Sequence, residues 1–117
     1  MMEDKIQILA NASGYIDNIK IRILELTDKI NSGQESNGMN LIVAVVEEVE
    51  KLIDAINNST DLHKGNISIE NMDEILREMI EAFENQDYVL VGDLFQYEFL
   101  PLLEKIQGNI REVISSK

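Results

Sequence analysis

Apolar positions recur along this chain at alternating intervals of three and four, the signature of helices that bury one face. The first stripe is Ile16, Ile19, Ile23, Leu26 and Ile30, and Ile6 and Leu9 extend it upstream. It predicts one amphipathic helix over about 3–31, with Gly14 as its weak point. Ser32, Gly33, Gln34, Glu35, Ser36, Asn37 and Gly38 contain no apolar side chain and two glycines, which predicts a loop. The second stripe, Ile42, Val45, Val49, Leu52 and Ile56, is widened by Leu41, Val46 and Ile53. It stops at Asn57, Asn58, Ser59 and Thr60, and His63, Lys64, Gly65 and Asn66 prolong the break. The third stripe is Ile69, Met72, Leu76, Met79 and Phe83, with Ser68 or Asn71 as the expected N-cap. Glu70, Asp73 and Glu74 then complement its dipole.

A fourth segment follows a very short connection at Asn85, Gln86 and Asp87, with Asp87 placed to cap it. Its main stripe is Tyr88, Val91, Phe95, Phe99, Leu102, Ile106, Ile110 and Val113; Leu90, Leu94, Tyr97 and Leu103 cover another face. Pro101 lies inside it, lacks a donor and crowds the preceding turn, so a kink is expected there. The expected fold class is all-α: one domain over 1–117, an antiparallel up-down four-helix bundle with long first and last helices. At 1.5 Å per residue those two helices reach about 43 Å and outrun the inner pair. The start of the first and the end of the last would overhang together, a stub needing cover from a second copy or a partner.

The composition suits such a bundle: 117 residues, 44% hydrophobic and 27% charged. Absence of cysteine removes disulfides, thiolate metal sites and cysteine nucleophiles. The acidic N-terminal residues lack a signal-peptide pattern, and no apolar run is long enough to span a bilayer. A soluble, cytoplasmic protein with no membrane association is the expectation. Ten basic residues against 22 acidic ones give a net charge of −12, which opposes binding to nucleic acid or anionic lipid. Between positions 70 and 104 the acids Glu70, Asp73, Glu74, Glu78, Glu81, Glu84, Asp87, Asp93, Glu98 and Glu104 face Arg77 alone. That run reads as a solvated face or as a surface that steers a basic partner.

Candidate chemistry is sparse. The single histidine, His63, lies in the expected loop beside Lys64 and Gly65, where it reads as an exposed residue and not a ligand. It leaves the carboxylate-bridged di-iron pattern, with its paired Glu-x-x-His motifs, incomplete. Glycine-rich phosphate loops and calcium loops are absent. One catalytic pattern is approached. Glu47 and Glu50 stand three apart on one helix, and Val91, Gly92, Asp93 and Leu94 resemble part of the second motif of the MazG-type all-α nucleoside-triphosphate pyrophosphatases. In that family Glu-x-x-Glu and Glu-x-x-Asp pairs cage Mg²⁺, carboxylates at i and i+3 sharing a helix face. The likeness implies Glu47, Glu50 and Asp93 as metal ligands, but Leu90 occupies the remaining glutamate position. A divergent enzyme of this class is the alternative reading.

Five of the six aromatics lie within positions 83–99: Phe83, Tyr88, Phe95, Tyr97 and Phe99. Apolar nearly all round, this segment reads as the central core helix, with Gly92 allowing close helix contact. Its surplus face, with Tyr88, Phe95, Tyr97 and Phe99 as interface candidates, reads as a docking surface. Asp87, Tyr88, Val89, Leu90, Gly92, Asp93, Leu94, Tyr97, Glu98, Pro101, Leu102 and Leu103 also match a pattern shared by a family of small uncharacterised bacterial helical proteins. The resemblance covers 87–103 only and implies a bacterial cytoplasmic origin without an activity. Size, acidity and helix faces, without a motif, are similar to those of flagellar and type III export chaperones. The leading expectation is therefore a non-catalytic module, adaptor- or chaperone-like, without cofactor or resident metal. It would bind a protein partner or a second copy through helix packing.

Overall fold

The structure is a computed structural model that describes residues 2–33 and 38–116. It is all-α, with no strand among the described residues. The elements are α1 (Met2–Asn31), α2 (Gly38–Asn57), a single turn α3 (Thr60–His63), α4 (Met72–Glu84), α5 (Tyr88–Leu94) and α6 (Leu100–Ser115). A π turn, Phe95–Phe99, joins α5 to α6 into one continuous rod. The stripes thus place the long helices within a few residues of where they lie. Of the expected loop at 32–38, Ser32 and Gly33 form a turn, Gly38 already belongs to α2, and 34–37 lie outside the described residues.

α1 runs the length of the molecule, which measures 47 × 19 × 18 Å. It packs against α2 on one side and α6 on another. The first pairing is antiparallel. Ile8 and Asn11 stand beside Ala55 and Asn58, whereas Ile23 and Leu26 stand beside Ile42 and Val45. Toward α6, Ser13, Asp17 and Lys20 meet Gln107. α4 packs against α5 and the π turn, its Phe83 ring edge-on to Tyr88 with centroids 5.7 Å apart. The core is the set of predicted stripes: Ile16, Ile19 and Ile23, then Val49, Leu52 and Ile56, then Met72, Phe99, Leu103, Ile106 and Ile110, all nearly solvent-free.

Local geometry refines the expected picture at the helix ends. α4 begins at Met72, so Ile69 and Glu70 precede it. Asn71 does stand at its N-cap, but at φ 73° and without a side-chain hydrogen bond, while the Ser68 hydroxyl accepts from the Glu70 amide at 3.3 Å. The connection between α4 and α5 is a Schellman turn: Asp87 N–H donates to Ala82 and Gln86 N–H to Phe83, with Gln86 left-handed at φ 60°. Asp87 then caps α5 as expected, its carboxylate accepting from Leu90 N–H at 3.2 Å.

The overhanging stub is covered from within the chain. Residues 58–71 fold back over it: Leu62 and Ile67 are buried, and Asn66 lies beside Asn109, Glu112 and Val113 of α6. An ion pair from Lys5 to Asp61 ties the start of α1 to α3 and holds the Asp61 carboxyl below its ordinary range, through the hydrogen bond first and the charge second. His63 belongs to this cover and is not an exposed loop residue. Only 4% exposed, it accepts from Gly65 N–H at Nδ1 (3.1 Å), which leaves Nε2 to carry the proton and donate to the Ile56 carbonyl at 2.9 Å. The imidazole is a buried clamp on the end of α2.

At Pro101 the helix answers with the π turn. Leu100 N–H reaches back five residues to Phe95, so the turn widens immediately before the proline ring. The core spacing explains the position. Val91, Phe95, Phe99 and Leu103 are all buried and four residues apart. Each four-residue step overshoots a straight α-helix by about 40°, so three of them would carry the stripe roughly 120° round. One extra residue in a widened turn, about 100°, returns it to the core.

Candidate docking groove

The face of α1 that looks at the last rod is the row Ser13, Asp17, Lys20, Leu24, Thr27 and Asn31, spaced four, three, four, three and four. Its first half is closed. Gln107, buried on α6, donates from Nε2 to the Ser13 carbonyl and hydroxyl (both 3.1 Å) and to Asp17 Oδ1 (2.9 Å), while its Oε1 accepts from Lys20 Nζ at 3.2 Å. Its second half is open. α1 draws away from α5, and the space between them is a groove of about 490 Å³. Leu24, Thr27, Ile30 and Asn31 form one wall, and Tyr88, Val89, Gly92, Asp93, Phe95, Gln96 and Leu100 the other.

Two of these side chains are far more exposed than their chemistry favours: Leu24 at 60% and Val89 at 77%. Scattered apolar residues on a surface are ordinary, but these two flank one concavity. Ile21, a turn before Leu24, is also exposed.

The interface candidates divide. Phe99 is fully buried and Phe95 nearly so, which makes both core residues. The four-residue spacing across the π turn sends them inward, Phe95 touching the groove only as part of its floor. Tyr88 is half-buried against Phe83, and Tyr97 is 68% exposed outside the groove lining. Leu24 was not singled out from sequence, because a lone apolar residue beside the stripe Ile23 and Leu26 looks like part of the core face. Gly92 lines the groove and has open space at its Cβ position, so it does not serve close helix contact. That role falls to Gly38, where a Cβ would stand 2.7 Å from the Phe83 ring and 3.0 Å from Leu26 Cδ1.

Glu47 and Glu50 are exposed on α2, and Asp93 is exposed on the groove wall. Leu90, in the position the enzyme motif reserves for glutamate, is exposed as well. Among the described residues no three acidic or histidine side chains are placed to hold a metal ion together, so the two halves of the carboxylate pattern do not converge. No helix in the described residues is long and apolar enough to cross a membrane.

Residues 7–109 match the family described as a domain of unknown function (DUF8042). The chain belongs to this family. The DUF8042 span takes in both groove walls and the Gln107 bridge, as well as the α3 cover. No curated protein and no solved structure matches the chain.

Proposed function

We propose that this DUF8042 chain is an up-down-up-down four-helix bundle, bent where the π turn meets Pro101, that works as a non-catalytic protein-interaction module of the adaptor or chaperone kind. It docks its partner in the groove between α1 and α5. The observation that carries this reading is the pair Leu24 and Val89, two large apolar side chains left mostly in water on opposite lips of one concavity. Covering such a side chain is worth about 1.5–3 kcal/mol at full burial, which a partner supplies and water does not. The segment 87–103, whose pattern resembles that of small bacterial helical proteins, contributes one whole wall. Tyr97 and Leu90 lie outside the lining as further exposed apolar contacts on the same rod.

Site-specific photo-crosslinking tests the reading. A crosslinker at position 89 captures a discrete partner in the native host, the Leu24→Ser variant abolishes the product, and a crosslinker at exposed Val43 on α2 yields none. Equal capture from positions 43 and 89 would refute it. The catalytic alternative has its own arm. Incubation with Mg²⁺ and nucleoside triphosphates releases no pyrophosphate if the module reading holds. Release that Glu47→Gln abolishes would replace the module with a hydrolase.

A further inference from the structure

We infer that the occupant of the groove is a basic amphipathic helix of another protein, seated with its apolar face between Leu24 and Val89 and its cations against the acidic rim. This rests on the docking function proposed above and names the chemistry of the partner.

The walls decide the shape. Both are helices, whose backbone donors and acceptors are already satisfied within themselves. An extended peptide would enter with its own N–H and C=O groups unpaired and meet no sheet edge to pair them. A helix brings its backbone satisfied and offers side chains at i, i+3, i+4 and i+7. The opening runs from Leu24 to Asn31 on α1 and from Tyr88 to Leu100 on the opposite rod. That is about 10–18 Å, two to three turns of a guest helix.

Charge decides the sign. Asp93 stands on one lip, and the exposed Asp28 lies one turn beyond Leu24 on the other helix. The cations on this stretch of α1 are Lys20, Arg22 and Lys29: Arg22 pairs with Glu25 at 3.8 Å, Lys20 is bonded to Gln107, and Lys29 is engaged as well. Along the sequence, Asp93 belongs to the acidic run of positions 70–104, in which Arg77 is the one cation. A second copy of the chain would bring another net −12 to that surface, so self-association here works against repulsion. A guest rich in Lys and Arg gains attraction and faster encounter instead.

The test uses the full chain and three synthetic peptides of about 14 residues. One places Leu at helical spacing with Lys elsewhere, one replaces each Lys by Glu, and one scrambles the Leu/Lys order. Fluorescence anisotropy gives affinity, and amide chemical shifts give the site. The Leu/Lys peptide binds, moves the Gly92 and Val89 signals, and loses about tenfold in affinity against Leu24→Ser/Val89→Ser. Val43→Ser leaves binding unchanged, and Asp28→Asn/Asp93→Asn weakens it and flattens its salt dependence. Equal binding of the scrambled peptide, equal binding of the Glu peptide, or shifts spread over the acids of α4 without Gly92 would each overturn the inference. If the position-89 crosslinker captures a partner that meets the groove with an acidic or non-helical segment, the docking function stands and this inference falls.

Discussion

Glycines show how little a residue's identity reveals until its neighbours are known. Gly14, Gly38 and Gly92 all lie in helices, yet a methyl group at Gly14 or Gly92 meets open space and at Gly38 meets the Phe83 ring. Phe83 cannot easily yield, since it is buried and packed against Tyr88. Alanine at 14 or 92 therefore gains helix propensity and stabilises the fold by about 0.5–1 kcal/mol each. Alanine at 38 forces the ring aside and costs about 1–3 kcal/mol. Urea denaturation of the three variants checks this. A stabilising Gly38→Ala would mean that the α2 start and Phe83 do not meet as closely as described. His63 makes the same point from the polar side. Its loop surroundings, Lys64 and Gly65, suggest exposure, whereas two backbone bonds and 4% exposure make it a clamp that truncation to alanine would break.

The π turn is the feature of the elements that spacing could have disclosed. Buried residues at 91, 95, 99 and 103 keep one face only if a residue is inserted, and exposed Gln96 lies within the widened turn. Removing Gln96 returns the spacing to four, three and four, the ordinary α pattern, but restores the clash of Pro101 with the preceding turn, about 3 kcal/mol. Deleting Gln96 together with Pro101→Ala should therefore give a folded protein with a cooperative thermal transition. Deleting exposed Glu104, in regular α6, rotates every later core residue by about 100° and should leave no such transition. Two folded deletions would show that the π turn does not absorb the register. The helices themselves were legible, because stripes such as Ile42 to Ile56 depend only on period. The α3 cover was not. Leu62 and Ile67 are too sparse among Asn, Ser, Thr and Gly to show a period, and their burial depends on the ends of α1 and α6 folding beneath them. Nor was the groove: Leu24 differs from Ile23 only in which helix fails to approach it, and that is decided by the rod opposite.

Across the whole molecule, the two halves of α1 stand in different surroundings, one bridged to the last rod by a single side chain and one facing the groove. Gln107 fills the space between α1 and α6 with hydrogen bonds to Ser13 and Asp17 and from Lys20, fixing the axial register of the two helices at that end. Among the described residues no equivalent bridge joins Thr27 or Asn31 to the opposite wall, and the helices part around the groove. A bundle closed at one end and parted at the other can admit a guest helix without unfolding, because the closed end keeps the walls in place. Local stability should follow: amides of 13–20 in α1 exchange more slowly than those of 24–30. Gln107→Ala removes the bridge at a cost of about 1–2 kcal/mol and brings the first set toward the second, while the groove-end amides change little. Hydrogen exchange followed by NMR reads both sets in one experiment. Uniform protection along α1 before and after the substitution would mean that the bridge does not set the difference, and that the groove is held open by the curvature of the rod at the π turn instead.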